Sequence, residues 1–391
     1  MNVYSYLKQL AGVGIFILTI LGFIKDINAS LTLNSTLSTV EQYSDNIRFQ
    51  SDKRGDILTS VSPQLLLAYK TSNLILSGKY NGSLEFYLRD NSLNQYNQNA
   101  SFDIDLPVIS HITKNVKIGI SEDIAYTPSL PPFYFDNETR DANEGIQIRR
   151  TDTFINQSGF NIAYTLSPVH TATLTYNNTI TRFKGETAHD SVFHNAGIGW
   201  EYKMSRLAAL TASYDTSITI YKGDEETASH GIEIGANYQM SKTFSSDAGI
   251  GITKISSEPI RLTFNSGLSK TYKSGISSLR YTRAIGRGGG LVASNTLSQR
   301  VIGRIEQHLS TTLSIYLRGA YSKNISIPGG NLNISSFEGG TGINISLKQW
   351  LNCSLSYSYL TQNSRGSVGE DTNRNMVILS ITTSAKPWRI M

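Results

Sequence analysis

Arg261, Arg280, Arg304 and Arg318 lie in a stretch where polar and apolar residues alternate, and each falls in the polar set. Glu201, Asp215 and Glu233 do the same earlier in the chain, as do Lys79, Glu85, Asp103, Asp105, Lys117 and, near the end, Glu338. Residues of one parity along a strand share one face, so these charges would line a single surface. Ionised groups facing one another across water set up a field that draws in and sorts small charged solutes. Basic residues concentrate on the twelfth to fifteenth alternating segments and acids predominate on the fourth and the eighth to tenth, which predicts a basic wall opposite an acidic one. The plainer reading is that any hydrated polar face needs charges, and that neighbouring charges pair and neutralise.

Other constellations carry less chemistry. His189 and His194 are five apart, with no cysteine and no third ligand beside them, so no metal site is expected. "GIGWEY" at Gly197 and "GIGITK" at Gly249 lack the strand-to-helix context and the Lys-Ser/Thr ending of a phosphate loop. Glycine on a polar strand face more simply relieves crowding or bends the wall. His308 and Ser310 are the nearest approach to a nucleophile and base, yet nothing resembles a nucleophile elbow. The reading is therefore non-enzymatic, with no cofactor.

The elements that hold these residues are strands. In "LTASYDTSITI", Leu210, Ala212, Tyr214, Thr216, Ile218 and Ile220 take one face. Thr211, Ser213, Asp215, Ser217 and Thr219 take the other. Short turns recur between such segments: "YTLS" at Tyr164, "YKMS" at Tyr202 and "YQMS" at Tyr238, with looser copies at "GLSKTY", "HLSTT" and "LKQW". A unit that returns at a near-constant spacing reads as a repeated hairpin. Counting alternating segments gives about 18 strands (16–18), joined alternately by short turns and longer loops; the segment 291–306 is the weakest. An even count puts both termini on one side.

The first 29 residues differ from the rest. Lys8 precedes the apolar run "LAGVGIFILTILGFI", and a small residue, Ala29, follows. That order predicts a signal peptide over 1–29, and one barrel domain over 30–391 with no plug domain before it. Beyond Ala29 no apolar run is long enough for a membrane helix. One cysteine, Cys353, excludes a disulfide scaffold. The formal charge of +5 is too small and too dispersed for nucleic acid.

An apolar face about ten residues long on each strand matches what a tilted strand needs to cross a bilayer. Aromatics gather at strand ends: Tyr164, Tyr202, Tyr238, Tyr272 and Trp350 by short turns, and Tyr126, Phe183 and Tyr221 by long loops. These read as the two girdles of a membrane barrel. The fold class expected is all-β, a transmembrane antiparallel up-and-down β-barrel in a bacterial outer membrane. A barrel of 18 strands leaves an aqueous channel, so the expected function is porin-like passage of small hydrophilic solutes. Outer-membrane lipid, lipopolysaccharide and the barrel-assembly machinery are the partners implied. The longest loop, 127–152, carries Asp136, Glu138, Asp141 and Glu144, then Arg149 and Arg150. It is either a constriction loop opposed to the lumen arginines or a solvated external loop whose acids bind divalent cations alongside lipopolysaccharide.

Three sequence features resemble a known family: "YSDNIRFQSDKRGDILTSVSPQLLLAY", "NQSGFNIAYTLSPVHTATLTY" and the recurring Tyr-x-Leu/Met-Ser turn. Together they are similar to outer-membrane barrels of the β-barrel porin 2 type, found beside exosortase and exopolysaccharide systems. The resemblance implies a porin-like barrel and, as an alternative function, a non-enzymatic role in surface-polysaccharide export or envelope assembly. The chain departs from the usual aromatic ending of such barrels, since it closes "SAKPWRIM".

Overall fold

The computed structural model describes residues 30–106, 115–127, 152–184, 189–223, 226–256, 258–287, 292 and 294–390. The segment 1–29 and most of the loop 127–152 lie outside them. The chain builds one antiparallel sheet that closes on itself. In chain order the strands are β1 (Ser30–Ser44), β2 (Asp56–Lys70), β3 (Ile75–Tyr87), β4 (Gln95–Leu106), β5 (Val116–Thr127) and β6 (Thr153–Ser167). They continue as β7 (His170–Phe183), β8 (Ser191–Lys203), β9 (Ala208–Tyr221), β10 (Thr227–Ser241), β11 (Phe244–Ile255) and β12 (Arg261–Tyr272). The last wall is β13 (Gly275–Arg287), β14 (Asn295–His308), β15 (Leu313–Ile327), β16 (Asn333–Lys348), β17 (Leu351–Ser364) and β18 (Thr372–Ser384). Each strand pairs with its chain neighbour, and β18 pairs with β1 from Thr36↔Ser384 to Ser44↔Met376, which closes an 18-strand barrel. Closure leaves no strand edge unpaired, the condition for a sheet in hydrocarbon. Past Pro387 a short strand, β19 (Trp388–Ile390), continues along the lower part of β1, with Trp388 opposite Leu33.

The two parities of each strand divide as the alternation predicts. Ile232, Ile234, Ile250, Ile252, Leu262, Leu279, Ile305 and Leu317 are among many large apolar side chains left exposed on one face. A soluble protein rarely shows so continuous an apolar surface; a barrel in lipid requires it.

The recurring turn has a physical explanation. Ser167 Oγ accepts from the Val169 and His170 amides at 3.3 and 3.2 Å. Ser205 Oγ accepts from Leu207 and Ala208 at 3.1 and 3.0 Å, and Ser310 Oγ from Thr312 and Leu313 at 3.1 and 3.0 Å. Ser241 Oγ accepts from the Thr243 amide at 3.2 Å. The hydroxyl replaces the backbone acceptor that a tight reversal lacks, so the serine of Tyr-x-Leu/Met-Ser fixes where the hairpin turns. That role occupies Ser310.

The girdle reading needs one correction. Tyr221 and Phe183 share the parity of Thr219 and Thr181, the inner one. Tyr221 is 2% exposed and donates to the Ser294 carbonyl at 3.0 Å. Phe183 packs against Leu332 and Ile334. Both hold loops inside the barrel rather than marking a membrane interface.

Candidate functional site

The inner wall is set by register. From β13 to β18 it carries Arg280, Arg300, Arg304, Arg318 and Arg374, with Glu306 and Glu338. Five arginines against two glutamates leave this wall basic. Arg318 Nη2 donates to Glu338 Oε1 at 2.9 Å, and Glu338 is 4% exposed. Arg304 pairs with Glu306 at 2.7 Å. Arg280 reaches across β12 to Asp247 on β11 at 3.2 Å. It can do so because the intervening residue is Gly267, whose added Cβ would collide with the Asp247 carboxylate. Gly340 makes similar room beside Arg318 Nε. Arg261 pairs with Glu258 at 3.7 Å.

The acids predicted to oppose these arginines share the inner parity but not the pairs. Glu233 accepts from Asn265 Nδ2 at 2.9 Å, and Glu201 lies 3.8 Å from Lys203. Asp215 sits against Gly197, another inner glycine. The arginines Arg261, Arg280, Arg304 and Arg318 are each matched on or beside their own wall, so neutralisation is local. A transverse asymmetry remains. On β3 to β5 the inner charges are Lys79 and Lys117 against Glu85, Asp103, Asp105 and Asp123. β4 lies nine strands from β13 in a ring of eighteen, so this acidic wall faces the basic one.

Loops from the long-loop end fold into the mouth. Leu332 and Ile334, both fully buried, meet Phe183 of β7 and Val292 of the β13–β14 connection. β7 and β16 are on opposite sides of the ring, so this contact spans the barrel. The β1–β2 loop brings Phe49, 4% exposed, under the Arg374 guanidinium, 5.3 Å from the ring centroid, a cation–π contact. Asn46 ties that loop to β18 through Thr372 Oγ1 at 2.9 Å and the Asn373 carbonyl at 3.0 Å. Asp56 ties the β3–β4 loop down by accepting from the Arg89 and Asp90 amides, both at 3.0 Å. Arg48 bridges to Asp90, and hydrogen bonds from Ser92 and then Arg48 hold the Asp90 carboxyl below the usual range.

The barrel shape is shared with solved structures. OccAB3 of Acinetobacter baumannii matches at TM-score 0.51 and 10% identity over 92% of this chain and 99% of that one. OccK7 (OpdD) of Pseudomonas aeruginosa matches at 0.52 and 11% over 94% and 100%. OpdK of Pseudomonas aeruginosa, solved with vanillate, matches at 0.51 and 9% over 92% and 99%. The fold is that of an outer-membrane β-barrel. With its continuous apolar outer face, the chain belongs in the bacterial outer membrane. No protein-family model matches it, and no curated protein does. The resemblance to β-barrel porin 2 proteins therefore stands on sequence motifs alone, and the export role drawn from it gains no support from these structures.

The candidates Asp136, Glu138, Asp141, Glu144, Arg149 and Arg150 fall outside the described residues of this outer-membrane barrel. The described parts of the loops at its mouth are others: 45–55, Val292 with Ser294, and 328–332. His194 faces outward, sharing hydrogen bonds with Tyr176 Oη at 2.9 Å and Asn178 Nδ2 at 3.0 Å. Sequence reasoning missed Arg300, Glu306, Arg374, Asp123 and Asp247. Their parity was the available signal, since each continues the polar set of its strand.

Proposed function

We propose that the barrel is a narrow porin-like channel for passive passage of small hydrophilic solutes, with a preference for anions. The observation that carries the reading is the inner wall of β13–β18, five arginines against two glutamates, opposite an acidic β3–β5. Field lines in a water-filled lumen between low-dielectric walls are focused along the charges. A solute carboxylate can take the place of Glu338 on Arg318, since guanidinium forms paired hydrogen bonds with either. The acidic wall across the lumen repels the anion toward the arginines and orients a dipolar solute. The inward loops limit size: Leu332, Ile334, Phe183 and Val292 leave the mouth apolar where they meet, so only slim solutes pass without a large desolvation cost.

Flux into proteoliposomes tests this. Vanillate, the compound present in the OpdK structure, is compared with a cationic aromatic of the same size. Faster entry of vanillate, lost in Arg318→Gln/Arg374→Gln, is the expected result. Equal rates for both solutes, or a rate no higher than that of protein-free liposomes, would contradict it.

A further inference from the structure

The same strands that hold the arginine wall inside carry an unusual outer surface. On β13 to β16 one outward row, in the half nearer the long-loop end and one step below Ile285, Leu297, Ile325 and Asn333, reads Arg283, Gln299, Lys323, Ser335, all directly paired. Arg283 and Lys323 are therefore two strand spacings apart, about 10 Å. Their register neighbours are Phe264, Gln299 and Ser335, none of them acidic. Arg283 Nε is buried without a hydrogen-bond partner. Outward acids elsewhere on the barrel differ: Glu41 on β1 accepts from Thr59, and Glu122 on β5 from Asn156. A cation on a lipid-facing wall is costly unless something anionic meets it, and among the described residues no acid is paired in register with either one.

Below that row the same face is hollowed. Gly303, Gly319 and Gly339 are paired side by side and form the floor of a groove of about 880 Å³. Leu279, Ile305, Leu317, Phe337 and Tyr357 stand around it. A Cβ added at Gly303 would make an ordinary contact with Leu279 Cδ1 at 3.8 Å, and one at Gly319 with the Glu338 carbonyl oxygen at 4.0 Å, so backbone crowding does not demand glycine there. Gly319 and Lys323 are four residues apart on β15, about 13 Å along the strand. The apolar groove and the basic row thus share one outer face, with the outward row Tyr281, Val301 and Tyr321 between them and the basic row on the long-loop side.

We infer that this face binds a phosphorylated glycolipid of the outer leaflet, with its phosphate on Arg283 and Lys323 and an acyl chain in the glycine-floored groove. Charge selects the occupant: two unmatched cations call for an anionic head group, whereas a second copy of this face would bring two more cations against them. The position on the long-loop side selects the outer-leaflet lipid over phospholipids of the inner leaflet.

The test is lipid retention by the detergent-purified, heat-modifiable barrel, read by native mass spectrometry with added bisphosphorylated lipid A, its dephosphorylated form and phosphatidylethanolamine. Bisphosphorylated lipid A is expected to be retained over the other two. Arg283→Gln/Lys323→Gln should weaken it roughly thirtyfold, the loss of two basic residues near a lipid surface. Lys323→Arg should keep it, and Gly319→Leu should weaken it by filling the groove while the inner wall is unchanged. The single Lys323→Gln against Lys323→Arg decides the matter should the double variant not fold. Equal retention of the dephosphorylated lipid, undiminished retention by the glutamine variants, or a disulfide-linked dimer of Gly319→Cys that forms regardless of lipid would each overturn the inference.

Discussion

Two parts of the lumen wall, β7 and β14–β15, are built on different plans. On β7 the inner face is Thr171, Thr173, Thr175, Asn177, Thr179 and Thr181, uncharged throughout. On β14 and β15 it is Ser298, Arg300, Ile302, Arg304, Glu306 and then Arg318, Ala320 and Ser322. The threonine wall needs no partners, because a hydroxyl is satisfied by water or by the strand beside it. The arginine wall needs many. It depends on Glu338, Glu306 and Asp247 for charge, on Gly267 for space, and on Phe49 as a cover. One wall is therefore a neutral surface for water, and the other is an assembled device in which a single change propagates.

The largest break in that contrast is expected at Arg318. Arg318→Met removes the guanidinium hydrogen-bonded to the buried Glu338 carboxylate and leaves it only the more distant charge of Arg374, which costs about 3 kcal/mol. Urea unfolding in detergent would show it, and Arg318→Met/Glu338→Leu should recover most of the loss. Gly267→Ala comes next. Its methyl displaces either Asp247 or Arg280, an overpacking cost of about 1–3 kcal/mol, with a shift in ion selectivity that Thr175→Val on the neutral wall does not produce. Leu332→Ala loosens the contact between β16 and Phe183. It should raise single-channel conductance while overall stability falls by no more than about 2 kcal/mol, the lower end for a buried leucine. The smallest effect concerns the loops above the arginine wall. Asp90 has its pKa held down by Ser92 and Arg48, so its bridge is complete above the ordinary carboxylate range. It weakens as pH falls through the lowered folded value. Faster amide exchange in 45–55 and 88–94 at acid pH, with the strands unchanged, is the expected signature; the carboxyl is partly open to solvent, so salt should blunt it.

The same comparison shows what a sequence discloses. The alternation that builds β9 and β10 is visible residue by residue, so strand number and the inner position of Arg261, Arg280, Arg304, Arg318, Glu201, Asp215 and Glu233 follow from parity. Arg300 escaped because the segment 291–306 is the least regular, and the strand there starts at Asn295. Phe183 and Tyr221 look like girdle aromatics when only their place at a strand end is counted, whereas their parity puts them inside. The contact of Leu332 with Phe183 has no local signal at all. It joins residues on opposite sides of the ring, and the pairing of loop to wall is decided by three-dimensional closure.

The most direct test of the central claim is the reversal potential of the refolded barrel in a planar bilayer under a potassium chloride gradient. Stable conductance steps with chloride preference, moved toward potassium by Arg318→Gln/Arg374→Gln, are predicted. A folded barrel that never conducts, or one whose cation preference those substitutions leave unmoved, would contradict the account.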